Sequence, residues 1–178
     1  MPEDPKRKVG IIACSGEELA EGTVSRLAAL KVLHSLRPDD TVTLCLPLFL
    51  AGGHDDRTFA CHHPTITVDG CDLRCAARAT EMYSNKPVLS LVVSELVAEH
   101  GLRKPEGRRQ LNEAGRQAVE LTAEQLAALV DTVLARRKPV PDTAQVKGPS
   151  ARRGKREEGD FCGSGSAFQK AVPQILER

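Results

Sequence analysis

Residues 64–83, PTITVDGCDLRCAARATEMY, decide how this chain folds. Pro64 opens a run in which Thr alternates with Ile and Val, the β-branched content of a buried strand. Asp69, Gly70 and Cys71 stand where that strand runs out. From Cys71 the pattern CDLRCAARATEMYS reads as a helix, broken by Asn85 and Pro87. Strand, tight turn and helix together make the repeating unit of an open α/β sheet.

The same unit recurs on both sides. Residues 9–13, VGIIA, are a short apolar strand ending at Cys14, Ser15 and Gly16. A loop, GEELAEG, leads to Thr23 as N-cap of a helix marked by Leu27, Leu30, Leu33 and Leu36 and stopped at Pro38. A second strand over 41–46 ends at Pro47, and a short helix is expected over 56–61. VLSLVVSEL at 88–96 makes a fourth strand. Farther on, RRQLNEAGRQAVE is moderately helical, weakened by Gly115. A separate helix over 122–137 takes Thr122 and Gln125 as a capping box and Leu121 and Leu126 as its staple. Leu126, Leu129, Val130, Val133 and Leu134 form its apolar stripe.

This order predicts an open, mainly parallel three-layer α/β sheet of Rossmann-like kind over residues 1–137. From 138 to 178 the composition turns to Pro, Gly, Lys, Arg and Glu, the signature of a flexible basic linker and tail. The 178 residues suffice for one well-buried core.

Composition removes several functions. A net charge of +1 exerts no global pull on nucleic acid or anionic lipid. With four Phe, one Tyr and no Trp, the stacking platforms of a single-strand binder are missing. The longest apolar runs are too short to span a bilayer, and MPEDPKRK lacks the apolar core of a signal peptide. The expected compartment is therefore the cytoplasm, where clustered cysteines more often mean metal or redox chemistry than disulfides.

Three of the six cysteines stand at predicted strand ends: Cys14, Cys45 and Cys71. The carboxyl ends of parallel strands line one rim, where ligands of open sheets bind. Cys75 follows Cys71 by four positions, so in a helix both thiols share a face. First-turn amides there favour the thiolate, Gly70 permits the tight turn, and Asp69 is placed to accept the turn's amides. Four thiolates suit tetrahedral zinc and, on ligand count, equally an iron–sulfur cluster. Two cysteines on a helix face also pack as small hydrophobes, which is the plainer reading of that pair.

IIACSG, the following GT before an Ala/Leu-rich helix, CLPL and above all ITVDGC-x₃-C resemble the DGC-domain family over roughly residues 8–100. That family is named for its DGC motif, and its expected zinc ligands are cysteines. The resemblance implies zinc at Cys14, Cys45, Cys71 and Cys75. It names a metal ion as partner and no reaction, so whether the protein is an enzyme stays open.

Other features carry less. His54, Cys61, His62 and His63 lie between the second and third strands, where one could substitute for Cys45 or complete a fifth position, although adjacent histidines on polar loops are more often inert. CSGEELAEGT fits neither a P-loop nor a dinucleotide fingerprint, and Glu17, Glu18 and Glu21 repel an anion. A cysteine phosphatase needs an arginine six positions after its nucleophile, where this chain has Ala20 and Ala77. The C-x-x-C of thioredoxin-like proteins is absent. The basic stretches ARRKP and ARRGKRE are diluted by Glu157, Glu158 and Asp160, and Cys162 reads as an exposed thiol. The expectation is a zinc-binding protein; the alternatives are a thiol redox or sulfur-transfer enzyme and an iron–sulfur carrier.

Overall fold

The computed structural model describes residues 8–14, 16 and 18–136. Four parallel strands form one open sheet: β1 (Val9–Ala13), β2 (Thr41–Thr43), β3 (Thr65–Asp69) and β4 (Leu89–Val92), in the order β2-β1-β3-β4. The register sets Ile11 beside Thr43 on one side and beside Ile66 on the other, and Val68 beside Leu91. The expected α/β class and parallel sheet are therefore present.

Helices cover both faces, making three layers. On one face, α1 (Ala20–Lys31), α6 (Val93–Glu99) and α7 (Glu113–Ala135) enclose a core with Val9, Ile11, Ile66 and Val68. On the other, α2 (Leu46–Ala51) and α5 (Cys75–Tyr83) pack on Ile12 through Phe49, Ala76 and Ala79. Two short helices, α3 (His54–Arg57) and α4 (Phe59–His62), complete the return to β3. Each fully buried Val, Leu or Ile contributes about 1.5–3 kcal/mol by leaving water. No helix among the described residues is long and apolar enough to cross a membrane.

Several local expectations are corrected by packing. α1 begins at Ala20, with Leu19 as its N-cap. Thr23 instead sits inside the helix and donates its hydroxyl to the Arg108 carbonyl at 2.7 Å. The leucines did mark a helix but not its buried face: Val24, Ala28 and Val32 face the core, whereas Leu27 and Leu30 are exposed. Small side chains at those positions let α1 lie close to the sheet. The helix then widens into a π-helical turn, Val32–Leu36, closed by the Arg37 amide on the Val32 carbonyl.

β2 stops at Thr43, and Pro47 sits in the first turn of α2, where its missing N–H costs nothing. The fourth strand is only four residues long before α6 begins. The expected single helix over 56–61 is instead α3 and α4. The two expected C-terminal helices are one. Asn112 caps α7 by accepting the Gly115 amide at 2.8 Å, and Thr122, expected as a cap, is fully buried in mid-helix. Ala114, Ala118, Thr122, Leu126 and Val130 form a continuous i, i+4 buried row, so tertiary burial overrides the local capping signal. The expected tail, 138–178, with Cys162, lies outside the described residues.

Candidate functional site

The strand order creates the site. β1 and β3 are neighbours, yet the chain leaves β1 into α1 on one face and β3 into α5 on the other. That divergence opens a crevice at the carboxyl ends of the two strands, the switch point where open α/β sheets bind ligands. Cys14 follows β1 and the Asp69–Gly70–Cys71 turn ends β3, so both reach this crevice.

Cys14 is half-buried and held from three directions. Its amide donates to the Val68 carbonyl at 3.0 Å, extending the β1–β3 ladder by one residue. Its sulfur accepts the Gly70 amide at 3.3 Å and lies 3.2 Å from the Ser25 hydroxyl in α1. Glycine makes this closeness possible. A Cβ on Gly70 would stand 2.6 Å from the Gly22 nitrogen, and a Cβ on Gly22 would collide with Gly16, which itself takes φ +73°. The loop after β1, the start of α1 and the turn after β3 therefore meet backbone to backbone.

In that turn, Asp69 is 1% exposed and accepts the amides of Ala76 at 2.7 Å and Ala77 at 3.1 Å. The expectation that Asp69 bonds the turn's amides is met. Burial pushes its carboxyl above the usual value, opposed by those two amides and by Arg74. The Arg74 amide closes on the Cys71 carbonyl at 3.1 Å, with Arg74 in the left-handed region at φ 49°. The helix begins only at Cys75, so Cys71 precedes it, and the shared helical face expected for the two cysteines does not form. The expected thiolate stabilisation is also reversed at Cys75. Amides of the first turn go to Asp69, and the Cys75 thiol is pushed up by burial, then by the charges of Asp69, Cys14 and Cys71, with Arg78 opposing.

Cys75 is thus within electrostatic range of Cys14, of Cys71 and of the buried Asp69 carboxylate. Cys45, at the N-cap of α2, is exposed at the outer strand end. It shares with Cys14 the wall of a cavity of about 290 Å³, lined also by Arg26, Leu30, Leu33 and Pro47. All four are free thiols. Among the described residues, no group of three or more His, Cys, Asp or Glu side chains is arranged to hold a metal ion. The donor types alone, cysteine sulfur with a carboxylate, are ones that suit zinc.

Of the histidine candidates, His54 is exposed on α3. His63 directly precedes β3 and holds the Lys8 carbonyl, before β1, at 3.0 Å through Nδ1. It stands at the amino-terminal rim, a strand length of about 15 Å from the Cys14 crevice. Cys61 and His62 lie on α4 at that same entry to β3. Sequence reasoning missed Ser25, whose 11-residue separation from Cys14 carries no motif.

By fold, this is an open α/β domain in which Cys14 and Cys71 follow the carboxyl ends of the neighbouring strands β1 and β3. The chain belongs to the DGC-domain family: the model of the DGC domain matches residues 10–133. That match extends the resemblance read from residues 8–100 through most of α7. No curated protein and no solved structure matches the chain.

Proposed function

We propose that this protein binds zinc through the thiolates of Cys14, Cys71 and Cys75, with Cys45 as the fourth ligand. The observation that supports the reading is geometric: β1 and β3 are neighbours, and the turn after β3, which carries Cys71, donates its Gly70 amide to the Cys14 sulfur at 3.3 Å. When bound, zinc would tie the turns after β1, β2 and β3 together and, if one position stayed open, supply a Lewis acid. The chain's own residues prepare the site: Gly70 and Ser25 orient the Cys14 sulfur, and Asp69 holds the turn bearing Cys71 and Cys75. An iron–sulfur cluster would use the same thiolates.

Metal analysis of protein purified anaerobically without a histidine tag, paired with a thiol count, tests this. About one zinc per chain, with thiols masked until chelation, is the expected result. Cys71→Ser should then lower both metal content and melting temperature. Unchanged zinc and unchanged melting would sink the reading.

A second reading rests on Cys14 itself. A half-buried sulfur facing a backbone N–H and a hydroxyl is a poised nucleophile, suited to thiol redox or sulfur transfer. It predicts metal-free protein in which Cys14 reacts fastest with an alkylating agent near neutral pH, whereas a zinc-bound thiolate is protected.

A further inference from the structure

Between α1 and the turn from β2 into α2 lies the cavity of about 290 Å³. On its helical side stand Arg26, Leu30 and Leu33, spaced i, i+4 and i+7, one row along α1 and into the π-helical turn that continues it. Opposite them, Leu44, Leu46 and Pro47 make an apolar wall. Arg26 is the only charged side chain among the described residues lining the cavity, and it makes no hydrogen bond or ion pair among the described residues. Leu30 is 40% exposed, so apolar surface is left open beside that charge. Thr43 adds no free proton, because its hydroxyl donates to the Ile11 carbonyl at 2.7 Å.

Small-molecule sites have this make-up: a mostly apolar lining with a few polar groups that fix orientation. A single guanidinium at one end of an apolar row matches a ligand with one negative head and an aliphatic tail. Its planar fork pairs with a carboxylate through two parallel charge-assisted bonds. A phosphate dianion would leave its second charge against an apolar wall without a partner, which is costly. From Arg26 to Leu33 the helix rises about 10 Å, the length of an extended chain of about eight carbons. We propose that this cavity binds a medium-chain aliphatic carboxylate, its head paired with Arg26 and its chain laid along Leu30 and Leu33 against Leu44 and Leu46. Cys14 and Cys45 border the cavity, but this binding uses neither sulfur, so it stands apart from the zinc reading above.

The test titrates the full-length protein, Arg26→Gln and Leu30→Trp by calorimetry with butanoate, hexanoate, octanoate, decanoate and octanol. Each added methylene from butanoate to octanoate should tighten binding about fourfold, and decanoate, longer than the row, should gain little more. Arg26→Gln should bind octanoate at least about tenfold more weakly and octanol as before, since only the carboxylate uses the charge-assisted pair. Leu30→Trp, whose ring fills the cavity, should bind neither ligand. Both side chains are exposed, and melting curves report folding separately. If Leu30→Trp does not fold, the contrast between octanoate and octanol in Arg26→Gln decides alone. No saturable binding of octanoate by the wild type would overturn the proposal, as would equal octanoate affinity in Arg26→Gln. Octanoate binding that survives in folded Leu30→Trp lies elsewhere on the surface and overturns it too. Octyl phosphate binding more tightly than octanoate would overturn the assignment of a carboxylate head.

Discussion

The Gly70 amide reaches across 56 positions of sequence to donate to the Cys14 sulfur at 3.3 Å. That bond joins the ends of two neighbouring strands, and the Ser94 amide, at the start of α6, closes on the Gly70 carbonyl at 3.2 Å from the other side. The turn is held from both sides by backbone, and this leaves its side chains available for chemistry.

Gly22→Ala tests the glycine contact. At an open helix position the change would stabilise by about 1 kcal/mol. Here the new methyl meets the backbone of Gly16, which cannot rotate away. The sign should reverse, with a loss of about 1–3 kcal/mol by overpacking. Urea denaturation checks it, and a midpoint at or above that of the wild type would show that the contact is not tight.

Asp69→Ala removes both acceptors at the start of α5. Loss of such a cap costs about 0.5–2 kcal/mol. The buried charge is itself unfavourable, as the raised carboxyl indicates, so the net loss should fall toward the middle of that range. Hydrogen exchange should speed up first at the amides of Ala76 and Ala77. Unchanged protection there would contradict the capping role.

Thr122→Val should stabilise the protein. The Thr122 hydroxyl is buried in α7 with no hydrogen-bond partner among the described residues. Replacing it with a methyl removes an unsatisfied group at nearly constant shape, for a gain of about 1 kcal/mol. The urea midpoint should rise with an unchanged slope. A fall would mean that the hydroxyl has a partner.

The pairing of Arg37 with Asp131 gives an acid-dependent contribution. Two parallel bonds, Nε to Oδ1 at 2.7 Å and Nη2 to Oδ2 at 2.6 Å, tie the end of the π-helical turn to α7. The side-chain hydrogen bond to Arg37 holds the Asp131 carboxyl below its ordinary value, and Arg37 is raised further beyond the working range. A depressed carboxylate stabilises the fold above its unfolded value, about 3.9, and loses that contribution as the pH falls through the folded value. The pair is largely exposed, so the effect is small and weakened by salt. The stability difference between wild type and Asp131→Asn should be constant near neutral pH and vanish in strong acid. A difference that persists there would assign it to packing.

The sequence by itself determined the class of fold and the chemistry at one strand end. The alternation in TITV, the Asp-Gly turn and the helix-forming run after it are local signals, read within a dozen residues. The role of Asp69 was legible for the same reason, since a side chain that bonds amides a few residues ahead needs no distant partner. Helix faces and boundaries were not. Leu27 and Leu30 carry the strongest apolar signal in α1 yet face outward, because the sheet admits only the small row of Val24 and Ala28 at close range. Thr122 resembled a cap until α7 was buried along its whole length.

Which thiols share a site was decided only by the tertiary structure. The order β2-β1-β3-β4 sets Cys14 beside Gly70 at the central crevice and leaves Cys45 at the flank. The same order sends His63, only eight positions before Cys71, to the opposite rim, because a strand lies between them. Strand order is a long-range packing outcome, set by which apolar faces bury together, and no spacing within a single strand encodes it.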